Sequence, residues 1–474
     1  MKIIKRKRQG RKKNRREKAI FRRRIKRERH RAAKIKAKRE NHRRKHPKKE
    51  TRYGIFTIIA RYMIDHLKIR ELLQKNFTLR KGKNSKFNAA DMIAGILLAI
   101  ILGAERLYHI STKYKEEKVL AEQMGMPAMF SGDTAYRFVN KFGVPLANWQ
   151  IQEISASLIR NQLRKGEIII ADLDWTTLRS YENKKEGAEC GYNKLRPGQA
   201  CFQASQFFVN GYGICPELLG GKTMPKTAEF LDKNLSRVRY LVGHIDWFRG
   251  DSAYCSTKNL RVLDEFTCTV RGTKKIQFIV GSSISSQGAK NAFEMSEKRR
   301  WQKINDGTFI MDFPSIQVYA GYPICHRMII VRRFFKARDR WDDYAIVTSN
   351  TEMSAKQTFY FYHQRETIEN FFKEAKHSYY LENLPASKLG RNQLYLHLIC
   401  LAFNIIRMAR MTLLSHKDHN IYLATLRRNY LHLDVTFRDG ILFIPRWMPQ
   451  YRAILAILQR LIDLNVPYKY RLTS

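Results

Sequence analysis

The sequence predicts an α/β protein: a mixed β-sheet with flanking helices, interrupted by a β-rich insertion and preceded by a helical domain and a basic arm. Three observations predict this class. Apolar residues follow helical spacing over residues 53–165. From residue 166 to residue 271, short apolar runs alternate with turn residues and helical segments. Further β-type runs fill residues 272–352, ahead of a second helical stretch.

The first 52 residues form a basic low-complexity arm. Residues 1–50 hold 27 Lys and Arg against 4 Glu, which is +23 of the chain's net charge of +47. They lack the apolar residues that a core needs, so we expect the arm to be disordered by itself. The other residues hold 62 Lys and Arg against 38 acids. A polyanionic partner is indicated, and nucleic acid fits better than a membrane because the arm has no apolar face.

Cysteines and apolar segments narrow the class of protein further. The seven cysteines include no C-x-x-C pair, which favours reduced thiols over a disulfide framework or a zinc module. Lys and Arg begin at position 2, so no signal peptide is indicated. The longest apolar run, Met92 to Ala104, is too short to span a bilayer and predicts a buried helix. We expect a cytoplasmic protein.

Residues 53–165 are expected to form a helical, DNA-binding domain. Apolar residues from Ile55 to Leu67 recur three and four positions apart. Ser131 is a candidate N-cap for a helix that also carries Arg137 and Lys141. There is no convincing helix-turn-helix signature, so helical packing without DNA contact stays open.

The strand region begins with the apolar run Ile168–Asp174, which ends in acidic residues. Two strands joined by Asn210-Gly211 predict a hairpin with a tight turn. The pattern then continues with a helix after Thr227, a strand that ends at Asp251, a helix capped by Ser256 and a short strand at Thr267–Val270.

The β-rich insertion is expected over residues 272–352, and it includes the runs Phe278–Val280 and Met328–Val331. Residues 353–415 would complete the core with two helices, one at about residues 355–377 and one from Leu394 to Arg407. The last part of the chain, residues 416–474, is a candidate for dimerisation or DNA contact.

The most informative stretch runs from Tyr362 to Lys376, where four residue types stand at the spacing Y-x2-R-x3-E-x6-K. On one helix, at roughly 100° per residue, these side chains fall within a sector of about 60°. They are Tyr362, Arg365, Glu369 and Lys376. Three apolar residues on another side, Ile368, Phe371 and Ala375, would anchor the helix to a core. A carboxylate among cations suits a metal ion beside phosphates.

This spacing resembles the signature of a class of bacterial insertion-sequence transposases, which are DDE enzymes. Asp174-Trp175-Thr176 resembles the first acidic motif of the family, and Arg249-Gly250-Asp251 resembles the second. The resemblance covers about residues 53 to 415. It implies a ribonuclease H-like core with an inserted β-domain before the last acid. It also implies a bacterial protein associated with the nucleoid.

The resemblance also implies a function. A protein of this class cuts DNA at terminal inverted repeats and joins the freed 3′-OH to target DNA. Members of the class often cut the second strand through a hairpin. The expected partners are the element ends and the target DNA, bound by a homodimer or multimer because two ends must be paired.

The predicted catalytic residues and metal ligands are Asp174, Asp251 and Glu369. Three carboxylates that converge from distant parts of the chain can hold two Mg²⁺ ions about 3.5–4 Å apart, and we expect Mn²⁺ to substitute. For each acid taken singly, a solvated surface carboxylate is the competing interpretation.

Each of the three acids has a rival nearby. Asp172 would face the same side of its strand as Asp174. Asp246 shares the strand that precedes Asp251. Two further rivals, Glu366 and Glu374, compete with Glu369, and Glu366 is only about 60° from Glu369 around a helix.

Five residues are candidates for DNA contact: Tyr362, Arg365, Lys376, Arg249 and Trp301. Arg offers a planar fork to a phosphate, and Lys offers a point charge. The competing interpretation for the signature residues is ion pairing on the helix surface, such as Arg365 with Glu369. Trp301 either stacks on an unpaired base or is buried in the β-rich insertion.

Two other functions stay open. A nucleic-acid-binding protein descended from a transposase would bind DNA without cutting it. A nuclease of the ribonuclease H fold would cut DNA without joining it.

Overall fold

A computed structural model describes the chain. It covers residues 51, 53–82, 84–180, 184–194, 196–267, 275–296, 301–335, 339–433 and 435–473, and it describes residues 366–370 through their backbone alone. Apart from Thr51, the predicted basic arm lies outside the described residues.

The region before the sheet is helical, as predicted. Its helices are Phe56–Arg61, Ile69–Asn76, Ala89–Ile101, Lys118–Gln123, Gly132–Phe142 and Pro145–Gln162, with π-helical turns at Tyr62–His66 and Ile110–Tyr114. Asn88 and Asp91 form a capping box ahead of Ala89–Ile101, and every residue of that helix is buried. Ser131 caps the helix Gly132–Phe142 through the amide of Thr134, which confirms the predicted N-cap.

The helix Leu389–Leu413, here named the central helix, joins these helices to the sheet. It packs against the strand Tyr212–Gly220 and against the helices Ala89–Ile101 and Pro145–Gln162. One hydrophobic core therefore runs from the N-terminal helices into the sheet. Among the described residues, the central helix alone is long and apolar enough to cross a membrane, but 83% of its apolar window is buried inside the protein. This burial is typical of a core helix.

The core of the sheet matches the predicted ribonuclease H-like topology. Its strands are β1 (Ile170–Arg179), β2 (Glu189–Cys190), β3 (Ala200–Val209), β4 (Tyr212–Gly220), β5 (Trp247–Gly250) and β6 (Gln277–Ser282). β4, β3 and β1 are neighbours in antiparallel order, and β5 and β6 follow beyond β1 and run parallel to it. The helices Ala228–Val242 and Thr257–Thr267 come before and after β5.

The hairpin of β3 and β4 turns at Asn210-Gly211, as predicted. Both residues have positive φ angles, 48° and 83°, which a two-residue type I′ turn requires. The Asn210 carboxamide oxygen accepts a hydrogen bond from the amide of Ile170 at 2.9 Å. The turn is thereby tied to the start of β1.

The last core strand is not where the sequence predicted it. Thr267 ends a helix, and the rest of the predicted strand Thr267–Val270 lies outside the described residues. The strand that pairs in parallel with β5 is β6, so Phe278–Val280 belongs to the core rather than to the insertion. An apolar run that is buried on both faces has the same sequence pattern in the core sheet and in the insertion. Only the strand with which it pairs distinguishes the two positions.

The insertion is β-rich, and it extends the core sheet. Its strands are β7 (Gln302–Asn305), β8 (Thr308–Gln317), β9 (Cys325–Phe335) and β10 (Arg340–Thr348). β10 pairs antiparallel with β6, which produces one sheet of ten strands among the described residues. The helix Gln287–Ser296 packs on β8 and β9.

The single helix predicted over residues 355–377 is divided into two. The leading helix is Ala355–His363, and the signature helix is Glu366–His377. At the break, the amide of Arg365 donates to the carbonyl of Tyr362, three residues back, at 3.2 Å. An uninterrupted α-helix would instead use the carbonyl four residues back. The sequence contains no Pro or Gly here that would predict a break.

The predicted apolar anchor of the signature helix is confirmed where it is described. Phe371 and Ala375 are buried. The Phe371 ring contacts those of Phe208 on β3 and Phe403 on the central helix, with centroids 5.0 and 4.7 Å apart. The side chain of Ile368 lies outside the described residues.

The C-terminal residues return to the N-terminal helices. They form the helices Leu423–Leu426 and Tyr451–Asp463 and a small sheet of β11 (Thr436–Arg438), β12 (Ile441–Pro445) and β13 (Lys469–Thr473). The hydroxyl of Tyr468 meets that of Thr57, and Gly54 leaves room for Val435. A role of this region in dimerisation or DNA contact stays a prediction.

Candidate active site

Asp174 and Asp251 come at equivalent positions after a paired residue of the neighbouring parallel strands β1 and β5. In the register of β1 and β5, Asp172 is the partner of Arg249. Asp174 and Asp251 each come two residues later, and a two-residue step returns a side chain to the same face of a sheet. The two carboxylates therefore share one face of the sheet, just past the parallel pairing of β1 with β5.

A backbone amide holds each of these carboxylates. Asp174 Oδ1 accepts a hydrogen bond from the amide of Trp175 at 2.8 Å. Asp251 Oδ1 accepts one from the amide of Ala253 at 3.0 Å and caps the short turn that follows β5. Both side chains are partly exposed.

The buried phenol of Tyr254 lies close to both aspartates. Burial raises the pKa of Tyr254 well above its ordinary value, and the negative charges of Asp251 and Asp174 raise it further. The hydroxyl donates to the carbonyl of Pro225 at 3.0 Å. Tyr254 is therefore a neutral neighbour of two carboxylates.

Asp172, the rival of Asp174, belongs to a buried ion pair. Arg249 donates from Nε to Oδ1 at 2.6 Å and from Nη2 to Oδ2 at 2.8 Å. Burial raises the pKa of the Asp172 carboxyl, and the facing guanidinium opposes that shift. Both carboxylate oxygens are thus engaged by one guanidinium, so Asp174 is better placed than Asp172 to hold a metal ion.

The same ion pair favours a structural role for Arg249, and the predicted contact of this residue with DNA stays a prediction. The Arg249 side chain is 7% exposed. Its third nitrogen, Nη1, donates to the carbonyl of Phe361 at 2.8 Å. A phosphate could reach this guanidinium only by displacing a buried carboxylate, which would be left without its partner.

Asp246, the rival of Asp251, lies at the opposite end of β5. Its carboxylate accepts a hydrogen bond from the amide of Ile169 at 2.7 Å. Five residues of extended chain separate the two acids by about 16 Å. This distance favours Asp251 as the partner of Asp174.

Glu374, one rival of Glu369, is a structural residue. It is buried, and it receives Arg410 Nη2 at 2.5 Å and the amide of Leu423 at 2.6 Å. Glu369 and Glu366 both lie on the signature helix, which packs against β1. Their side chains lie outside the described residues, so the choice between them stays open.

Tyr362 fills a notch in the sheet at Gly281 of β6. A Cβ atom at Gly281 would overlap the Tyr362 hydroxyl. Burial raises the pKa of Tyr362 to about 12, while the charge and hydrogen bond of Arg365 lower it and the charge of Asp251 raises it. The phenol therefore lies inside the protein beside Asp251, and its contact with DNA stays a prediction.

Arg365 brings a positive charge to the same place. Its side chain is buried, and its charge acts on Asp172, Tyr254 and Tyr362. The guanidinium therefore lies between the signature segment and the two acidic strands. A DNA contact of Arg365 likewise stays a prediction.

Lys376 and Trp301 both have partners within the protein. Lys376 Nζ donates to the hydroxyl of Thr176 at 2.7 Å, and that bond ties the signature helix to β1. Trp301 is partly buried against the core, with the Arg332 guanidinium 5.4 Å from its ring centre. These contacts favour structural roles, and the predicted contacts of both residues with DNA are untested.

Sequence reasoning missed the pairing of Asp172 with Arg249. A signal for it exists, because Asp172 precedes Asp174 by two residues and Arg249 precedes Asp251 by two. If the strands that carry these acids are neighbours in parallel register, Asp172 and Arg249 lie side by side two residues before the acids. Gly281 carried no comparable signal, because its partner Tyr362 is distant in sequence.

Comparisons with known proteins identify the family of the chain. A family model described as "Transposase DDE domain group 1" matches residues 56–465. No curated protein matches the chain. Among solved structures, a piggyBac transposase in a synaptic complex with hairpin DNA is 10% identical, with a TM-score of 0.39, over 81% of this chain and 80% of that one.

Two further solved structures are similar to smaller parts of the chain. The Drosophila P element transposase in a strand transfer complex is 11% identical over 47% of this chain and 46% of that one, with a TM-score of 0.23. The Mos1 transposase in a paired-end complex is 12% identical over 40% of this chain and 59% of that one, with a TM-score of 0.15. The match over residues 56–465 assigns the family, and the chain belongs to group 1 of the DDE transposases.

Proposed function

We propose that this chain is the transposase of a bacterial insertion sequence, which cuts DNA at the terminal inverted repeats of its element and joins the freed 3′-OH to target DNA. Its catalytic residues are Asp174, Asp251 and Glu369. These residues hold two Mg²⁺ ions, for which Mn²⁺ substitutes. DNA transposition follows from the family, while the metal, the cut-and-paste route and the residue roles are the proposal.

The register of β1 and β5 is the observation that carries this proposal. Asp174 and Asp251 each come two residues after the paired residues Asp172 and Arg249, just past the carboxyl end of the parallel pairing between β1 and β5. Ligands of α/β sheets commonly bind at that end of the strands. The signature helix, which carries Glu369, packs against β1 and so supports the assignment of the third acid.

The residues at this edge suit a divalent cation. Two neighbouring carboxylates repel each other, and a cation between them removes that cost. Mg²⁺ prefers carboxylate oxygens and keeps positions for substrate phosphates. The neutral Tyr254 adds no charge, and Arg249 is already bound to Asp172. When bound, the two ions supply neutralisation of phosphoryl charge and activation of the attacking oxygen.

The charge of the chain supports a DNA partner. The net charge of +47 is shared between the arm and the remainder of the chain. Neutralising phosphates releases counterions, so binding to any DNA should weaken steeply with added salt. Pairing two element ends requires more than one protomer, and we propose a homodimer or a larger assembly on DNA.

The test uses purified protein, Mg²⁺ and a DNA fragment that carries one element end beside its own gene. Cleaved, hairpin and joined products are resolved for wild type, Asp174→Asn, Asp251→Asn and Glu369→Gln. We expect each variant to lose cleavage by at least about 100-fold, because each removes a ligand of ions that contribute several kcal/mol. DNA binding should persist.

Asp246→Asn is the matched control, because it neutralises an acid at the far end of the strand that leads to Asp251. It should cleave at the wild-type rate. Cleavage by Glu369→Gln at the wild-type rate would contradict the assignment of the third acid, and Glu366→Gln would then be measured. DNA binding without cleavage by the wild type, also with a paired second end, would contradict the enzymatic function.

A further inference from the structure

The guanidinium of Arg249 joins three separate elements beside the proposed site. It belongs to β5, and its Nε and Nη2 hold the carboxylate of Asp172 on β1. Its Nη1 donates to the carbonyl of Phe361 in the last turn of the leading helix. The guanidinium carbon also lies 4.9 Å from the centre of the Phe361 ring.

The break between the two helices leaves the Phe361 carbonyl without its usual backbone donor. In a continuous α-helix it would accept the amide of Arg365, four residues later. That amide donates to Tyr362 instead, so Arg249 replaces a backbone donor with a side-chain donor. Insertion of a side chain into the hydrogen-bond ladder is a known cause of sharp helix bends.

The break sets the direction of the signature helix, which carries Glu369. Asp172 and Arg249 each lie two residues before a proposed metal ligand, so the ion pair also fixes the strands of Asp174 and Asp251 side by side. The geometry points to Arg249 as a positioning residue of the DDE site: through Asp172 and the Phe361 carbonyl it holds the strands of Asp174 and Asp251 together with the break from which the signature helix begins. This inference rests on the proposed function of the three acids.

Lysine cannot replace arginine in this role. The guanidinium is a planar fork that binds both carboxylate oxygens and still offers a nitrogen in another direction. An ammonium keeps the charge on a shorter side chain, so it can pair with Asp172 but cannot also reach Phe361. Arg249→Lys therefore preserves the buried charge while it removes the hydrogen bond that holds the break.

Arg327 provides a matched control in the insertion. Its Nε and Nη2 donate to both oxygens of Asp312, at 3.0 and 2.7 Å, and its Nη1 donates to the carbonyl of Met353. Its side chain is 7% exposed, like that of Arg249. Arg327→Lys therefore makes the same chemical change at an equally buried guanidinium outside the proposed site, although the partner Asp312 is more exposed than Asp172.

The experiment compares wild type, Arg249→Lys and Arg327→Lys by amide hydrogen exchange over residues 355–377 and by cleavage of element-end DNA with increasing Mn²⁺. We expect faster exchange around the helix break in Arg249→Lys alone. Cleavage by this variant should fall by roughly 100-fold, as for a displacement of about 1 Å in a catalytic group. Half-maximal cleavage should also require more Mn²⁺, whereas DNA binding should not change.

Equal exchange over residues 355–377 in the two variants would overturn the inference. The inference would also be overturned if the loss of cleavage in Arg249→Lys were no larger than its loss of folded protein. A general packing role predicts such a proportional loss for both variants. A wild type that does not cleave would refute the proposed function, and the exchange data would still decide whether Arg249 holds the break.

Discussion

Lys376 donates its ammonium to the hydroxyl of Thr176 at 2.7 Å and to the carbonyl of Thr177 at 2.9 Å. Thr176 comes two residues after Asp174 on the same face of β1. The last residue of the signature is therefore tied to the strand of the first acid. Burial lowers the pKa of Lys376, and the charge of Glu382 opposes that shift.

Thr176→Val tests this tie. Loss of a hydrogen bond to a charged group should lower the free energy of unfolding by about 1.5–3 kcal/mol. Lys376→Met should have a similar effect, and the double variant should add little to either change, as urea unfolding and cleavage assays would show. Thr177→Val is the control, since its hydroxyl bonds Gln203 and its carbonyl still accepts from Lys376. Additive losses would show that Lys376 acts elsewhere, such as on DNA.

Gly281→Ala should displace Tyr362 from its notch. The new methyl group would overlap the phenol hydroxyl, and overpacking of this kind costs about 1–3 kcal/mol. Adding Tyr362→Phe removes the overlapping oxygen, so the double variant should regain most of the lost stability in thermal unfolding. Gly321→Ala is the control, because a Cβ there meets no atom within 4 Å. No rescue in the double variant would mean that Tyr362 does not occupy the notch.

Glu374→Gln should separate stability from chemistry on the signature helix. It leaves Arg410 buried without its charged partner, which typically costs about 3–5 kcal/mol. Cleavage per folded molecule should stay near the wild-type rate, in contrast to Glu369→Gln. Unfolding curves and cleavage at a temperature where both variants are folded decide this. Abolished cleavage in folded Glu374→Gln would make Glu374 a candidate third acid.

Acid should destabilise the protein through His109. Burial lowers the pKa of His109 to about 3, and the charges of Lys113 and Arg106 lower it further. Its Nδ1 accepts a hydrogen bond from the amide of Glu105 at 3.1 Å, which requires a neutral ring.

Because the folded-state pKa of His109 lies below its ordinary value, its contribution to stability is complete above about pH 6.5 and falls as the pH drops towards 3. The loss from this one group should reach about 1.4 kcal/mol per pH unit. His109→Asn keeps an acceptor without titrating, so its urea stability should depend less on pH, while exposed His416→Gln serves as the control. Equal slopes for wild type and His109→Asn would contradict this prediction.

Deletion of residues 1–50 removes a net charge of +23 and should weaken DNA binding. The plot of log affinity against log salt should also become flatter, by roughly 0.9 for each phosphate that the protein no longer neutralises. A Gly/Ser arm of equal length is the control for chain length. A salt slope that does not change on deletion would exclude this role of the arm.

Local patterns in the sequence were sufficient for much of the fold. The buried helix Ala89–Ile101, the turn at Asn210-Gly211 and the N-cap at Ser131 depend on neighbours within a few residues, and each was predicted correctly. The apolar runs before the first two acidic motifs also predicted strands, although β1 continues past Asp174 to Arg179, whereas β5 ends just before Asp251. The spacing of the motifs was enough to identify the family.

Only the tertiary structure decided how these pieces combine. Strand pairing placed Phe278–Val280 in the core, although the same apolar run could have formed part of the insertion. The Arg249 guanidinium stands at the break between two helices where helical periodicity predicted one. Asp172 and Glu374 are structural acids because each pairs with a buried arginine. Those arginines lie 77 and 36 residues away in the sequence, so a local pattern could not predict the pairs. The register of strand pairing and side-chain partners that are distant in sequence determine these outcomes. A local pattern of residues carries no information about either.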